Sequence, residues 1–221
     1  MRRSPFLFLN AIIITSLLVS CKGELWQSPE TRYVNRQPLE NFIKEVPVEV
    51  DGRWQGNEDR FYQLVNKRAY ELQLDSLEGG YDSLQIRIWL GHSMALKRQV
   101  VVLKTKGQVW KGQLVTYTLD ERHSVVQKTI QSVSPASGWP LFIDSVFRLG
   151  LLSLPNETEV KGYNGCSGDG IVYKIEWATE NRYRFYRYCN PEDNVENFWQ
   201  ARHVLQLADF LEKELGFNYI K

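Results

Sequence analysis

The chain has 221 residues, 43% apolar and 24% charged, which excludes a disordered or collagen-like polymer. Lys and Arg total 27 against 26 Asp and Glu, so no whole-chain basic field argues for nucleic-acid binding. Seven Trp, 11 Tyr and 10 Phe are enough large side chains for a substantial core.

Residues 1–20 read as a leader. Arg2 and Arg3 form a basic n-region, and the apolar run Phe6–Val19 is shorter than the about 20 residues a transmembrane helix needs. Leu18-Val19-Ser20-Cys21 has the order of a bacterial lipobox. Such a box predicts a diacylglycerol on the Cys21 thiol, cleavage before it, and usually a further acyl chain on its new amino group. Two or three chains at one terminus anchor a protein stably to a membrane; an uncleaved anchor helix is the plain alternative. Cleavage removes Arg2 and Arg3 and leaves no polybasic patch beside the lipid. The expected location is the cell envelope. No Asp follows Cys21 directly, and the resemblance to bacterial lipoproteins then implies the outer membrane rather than the inner in a cell that has both.

Residues 21–56 are expected to hold the lipidated Cys and an irregular tether, with Pro29, Pro38 and Pro47 spaced along it. Leu39–Lys44 offers one or two helical turns, Val46–Val50 a short extended piece, and Asp51-Gly52 a turn. Residues 57–221 are expected to form a single α+β domain. Arg60–Lys67 has no clear period. Alternation over Ala69–Leu74 predicts a half-buried strand, and a stronger alternation predicts another over Leu84–Leu90. In the second, Gln85, Arg87 and Trp89 share the face opposite the apolar one. Gln99–Lys104, Gln108–Leu119 and Ser124–Val133 read as further strands, the first two forming a hairpin about Lys106-Gly107.

Pro140 in a first turn, with Leu141, Phe142, Val146 and Leu149 at helical spacing, predicts a helix over about 140–150. Ile171–Trp177 and Arg182–Tyr188 form the plainest hairpin of the chain. Phe198, Ala201, Leu205, Ala208, Leu211 and Leu215 form the stripe of an amphipathic C-terminal helix, and Gly216 stops it. The sum is α+β: mainly antiparallel sheet with one internal helix and a C-terminal amphipathic helix.

Little in the chain resembles a catalytic constellation. His92, His123 and His203 are isolated, and Ser167 sits in a glycine-punctuated loop best read as a tight turn before a strand. No catalytic residue, metal site or cofactor is expected. With Cys21 taken by lipid, Cys166 and Cys189 remain as an even pair outside the cytoplasm, either disulfide-bonded or two buried thiols. The most unusual local feature is the strand Arg182–Tyr188. Alternation puts Arg182, Arg184, Tyr186 and Tyr188 on one face, either as a platform for a sugar or peptide or as cross-strand packing under the terminal helix.

Ile86-Arg87-Ile88-Trp89, Asp169-Gly170, Tyr173, Glu176, Tyr183, Tyr186 and Pro191-Glu192, followed by the amphipathic helix, resemble a group of uncharacterised Bacteroidota envelope lipoproteins. That resemblance implies a phylum and a compartment, and no activity. The expected function is a lipid-anchored envelope protein with a non-enzymatic binding or structural domain. Its partners would be the membrane, through acyl chains on Cys21, and an envelope protein or glycan, with no nucleic acid. An envelope inhibitor or immunity-type protein is the alternative, and a hydrolase the third.

Overall fold

A computed structural model of the chain describes residues 38–48, 56–92, 94–166 and 170–219. The segment expected to be a leader, Cys21, Asp51-Gly52 and Ser167–Asp169 lie outside the described residues.

Seven strands form one sheet in the order β1-β7-β6-β2-β3-β4-β5. They are β1 (Ile43–Glu45), β2 (Leu84–Leu90), β3 (Lys97–Lys106), β4 (Val109–Leu119), β5 (Val125–Val133), β6 (Val172–Thr179) and β7 (Arg182–Cys189). All neighbours are antiparallel except β1, a three-residue edge strand parallel to β7. β1 comes from the segment expected to be irregular. The β6–β7 hairpin closes over Glu180-Asn181 and sets Val172 opposite Cys189. The helices are α1 (Arg60–Glu71), α2 (Trp139–Arg148) and α3 (Trp199–Leu215), and the architecture is α+β.

Helix α1 corrects the strand expected over Ala69–Leu74. Asp59 caps its start: Oδ1 accepts from the amides of Phe61 (2.7 Å) and Tyr62 (3.3 Å), two donors that a helix N-terminus leaves without intrahelical partners. Tyr62, Val65, Ala69 and Leu72 then fall three or four apart and are all buried, whereas Tyr70 is exposed. The local period of two came from Tyr70, Leu72 and Leu74 straddling the helix end and the turn after it.

The helices cover both faces of the sheet. On one face Ile86, Ile88, Val101, Leu103, Leu114, Ile175, Tyr186 and Tyr188 pack against Phe142 and Val146 of α2 and Val204, Leu207 and Leu211 of α3. Gly112 of β4 lies under α2; a Cβ there would come within 2.9 Å of both the Trp139 ring and the Val133 carbonyl oxygen. On the other face Val100, Val102, Val115, Tyr117, Tyr183 and Phe185 pack against α1. Covering both faces forces polar side chains of the inner strands into the interior, because alternation leaves them no water to point at.

The stripe of α3 is shifted from its expected place. Ala201, Val204, Leu207, Ala208, Leu211 and Leu215 are buried, and Leu205 is half-buried on the flank. Arg202, Gln206, Asp209 and Lys213 face water. Gly216 ends the helix at φ +64°, in the left-handed region that glycine adopts without steric cost. No helix among the described residues is long and apolar enough to cross a membrane.

Candidate functional site

Beneath α1, strands β2, β6 and β7 carry a buried row of charged side chains. β6 contributes Lys174 and Glu176, β2 contributes Arg87, and β7 contributes Arg187; all four are at most 7% exposed. The register sets Arg87 beside Glu176, and Lys174 between Trp89 and Arg187.

Most of this row is satisfied. Glu176 accepts from Arg87 Nη1 (3.2 Å), Trp89 Nε1 (3.1 Å) and the Tyr183 hydroxyl (3.0 Å). Arg87 also donates to the Asp75 carbonyl, and to the Gln85 amide oxygen when that amide is turned toward it. Arg187 donates through Nε to Asp59 Oδ2 (2.7 Å) and through Nη1 to Glu157. Cys166 and Cys189 are bonded to each other, with Arg187 Nη1 3.4 and 3.2 Å from their sulfurs. Glu157 and the two cysteines have the closeness of metal ligands. Both sulfurs are committed to their mutual bond and the carboxylate to Arg187, so the set is not free to take a cation.

Lys174 is the exception. Its ammonium has one long contact, 3.5 Å to the carbonyl of Val172 in its own strand, and stands 5.8 Å from the Phe61 ring centroid. Burial pushes its pKa down from 10.5 to about 7, the charges of Arg98 and Arg68 push the same way, and Asp59 opposes them. Burial also lowers the pKa of Arg98, with Arg68 adding to it. Arg68 ion-pairs with Glu71 and donates to the His123 carbonyl, and its Nε is buried without a partner.

These three cations line one cavity of about 330 Å³ between α1 and the ends of β2, β3 and β6. Its other walls are Phe61, Leu64, Gly91, His123 and Val172. No carboxylate lines it among the described residues. The arrangement can hold an anionic head against Lys174 and an apolar body against Phe61, Leu64 and Val172.

The four aromatic and basic residues singled out in β7 do share a face, opposite Tyr173, Ile175 and Trp177. The fold divides them. Tyr186 and Tyr188 are fully buried and donate to the carbonyls of Leu151 and Pro155, each at 2.6 Å. Arg184 donates to the carbonyls of Leu152 (3.0 Å) and Leu154 (2.7 Å) and pairs with Glu45, as does Arg182. The two arginines line a separate cleft of about 490 Å³ against β1, and neither tyrosine ring presents a face to solvent. The histidines lie apart: His92 Nδ1 accepts from the Met94 amide, and His203 lies 3.2 Å from the Leu149 carbonyl.

Sequence reasoning missed Arg68, Arg98 and Lys174. The available signal was a lysine inside the apolar run Ile171–Trp177, and it reads as outward-facing unless α1 is recognised. The chain matches no family model, no curated protein and no solved structure.

Proposed function

We propose that the chain is a lipid-anchored cell-envelope protein whose folded part is a non-enzymatic binding domain. Support for the anchor is the basic, apolar leader running into Leu18-Val19-Ser20-Cys21, and the absence of Asp after Cys21 favours the outer membrane. One observation carries the binding role: a cavity in which cations from α1, β3 and β6 converge on apolar walls. Such a site recognises charge and shape.

Labelling of cells with palmitate tests the anchor. The wild-type chain should take up label and sediment with membranes. Cys21→Ala should take up none and keep its unprocessed size. A labelled or membrane-bound Cys21→Ala chain of mature size sinks this reading.

A further inference from the structure

We propose that the cavity between α1 and the strand ends binds a small organic monocarboxylate, its head against Lys174 and its apolar body against Phe61, Leu64 and Val172. The inference rests on the binding-domain reading and names the ligand class of that site.

Three observations carry it. First, the fold neutralises buried cations wherever it has the means. Arg87 meets Glu176, and Arg187 meets both Asp59 and Glu157. Lys174, directly opposite Arg187 and 7% exposed, meets a carbonyl of its own strand and the Phe61 ring but no carboxylate. An unpaired buried charge is costly, and an arriving carboxylate supplies the missing partner. Second, Arg68 and Arg98 stand on the walls of the same cavity, and no carboxylate lines it among the described residues. The acidic groups nearest these cations are already engaged: Asp59 caps α1 and pairs with Arg187, and Glu71 pairs with Arg68. Third, the size and the walls fit. About 330 Å³ lies at the small end of ligand pockets, which run from about 300 to 1,000 Å³. One ammonium without a carboxylate partner suits a monoanion better than a phosphate dianion, which needs more donors.

The lysine adds a signature. The charged groups facing it are Asp59 and Arg68 from α1 and its cap, Arg98 from β3 and Arg187 from β7. Three of these four are cationic. At pH 8 the amine of the empty site is largely neutral, given its pKa of about 7. Carboxylate binding therefore takes a proton from solvent: the amine becomes an ammonium beside the carboxylate, and no covalent bond changes.

Calorimetric titration of the full-length chain in a non-ionic detergent tests this, with sodium hexanoate, acetate and inorganic phosphate as probes. Each titration is run at pH 8 in two buffers of different ionisation enthalpy. Hexanoate should bind with uptake of close to one proton, more tightly than acetate or phosphate. Its affinity should fall by about tenfold per pH unit above pH 8, the limit for one linked proton. Lys174→Met should weaken hexanoate at least tenfold and abolish proton uptake. Leu64→Trp, which removes no charged group and fills part of the cavity, should weaken hexanoate while leaving the urea midpoint close to the parent's. The proposal is overturned by no hexanoate binding at millimolar concentration, by binding without proton uptake, by unchanged affinity in either variant, or by phosphate or acetate binding as tightly as hexanoate. Any of these with acylation of Cys21 intact removes the ligand assignment and leaves the anchor standing.

Discussion

Lys174 and Arg187 are direct cross-strand neighbours in the β6–β7 register, both cationic in type and both buried, yet only Arg187 is ion-paired. Like charges set opposite each other in a sheet repel. Two carboxylates relieve the repulsion from the Arg187 side, and loss of a proton relieves it from the Lys174 side.

Lys174 should therefore make the folded state more stable as pH rises. Its pKa of about 7 in the fold lies below its ordinary 10.5. Below pH 7 both folded and unfolded chains hold the proton, and the full cost of burying the charge is present. Between pH 7 and 10.5 the unfolded chain holds a proton that the folded chain lacks, so stability climbs with pH. Urea melts from pH 6 to 9.5 should show this rise in the parent and a flatter profile in Lys174→Met. The variant should be the more stable at pH 6, and the gap should stay level to about pH 7 and then shrink by roughly 3 kcal/mol by pH 9.5. Parallel profiles would show that Lys174 keeps its proton throughout.

Asp59 does two jobs with its two oxygens, capping α1 with Oδ1 and pairing with Arg187 through Oδ2. Asp59→Asn keeps a capping oxygen and removes the charge. It should cost roughly 2–4 kcal/mol, moderated because Arg187 retains Glu157. Asp59→Ala also loses the cap and should cost about 1 kcal/mol more. Denaturant midpoints of the two variants separate these contributions, and equal midpoints would mean that the cap adds nothing.

The Cys166–Cys189 bond closes a loop between residues 23 apart in sequence and ties the segment before β6 to the end of β7. On the chain-entropy account its loss should cost roughly 3 kcal/mol. The Cys166→Ser, Cys189→Ser double variant should melt earlier by that amount. Unfolded, unreduced parent chain should show no thiol reactivity at either position, whereas two labelled cysteines there would contradict the pairing.

The strands were legible wherever alternation coincided with local chemistry. Leu84–Leu90 has the same bounds in sequence and fold, and the β6–β7 turn is off by two residues at its start. Helix α1 was not legible, because its period is carried by Tyr62, Val65 and Ala69 among polar neighbours while Tyr70, Leu72 and Leu74 mimic a strand. That single miss hid the site. Without α1 the face bearing Gln85, Arg87, Lys174 and Glu176 reads as wet, and its charges read as ordinary surface. Tyr186 and Tyr188 show the converse. Their shared face was correct, and the closure of residues 151–155 over their hydroxyls depends on chain returning from far along the sequence, which no local pattern records.

The last prediction uses the shifted stripe of α3. Leu211 is fully buried between this helix and the sheet, Leu205 is half-buried on its flank, and Lys213 faces water. The hydrophobic contribution follows the apolar area removed from water, and a cavity adds to the loss only where neighbours enclose the site. Leu211→Ala should therefore cost roughly 2–5 kcal/mol, because its surroundings cannot relax into the gap. Leu205→Ala removes the same atoms from a half-wet site where solvent can enter, and should cost about half as much. Lys213→Ala should stay within about 0.5 kcal/mol of the parent. Urea melts of the three variants at one pH check the ordering. A cost at Leu205 equal to or above that at Leu211 would mean that α3 is rotated about its axis relative to the sheet, with the flank taken for its buried centre.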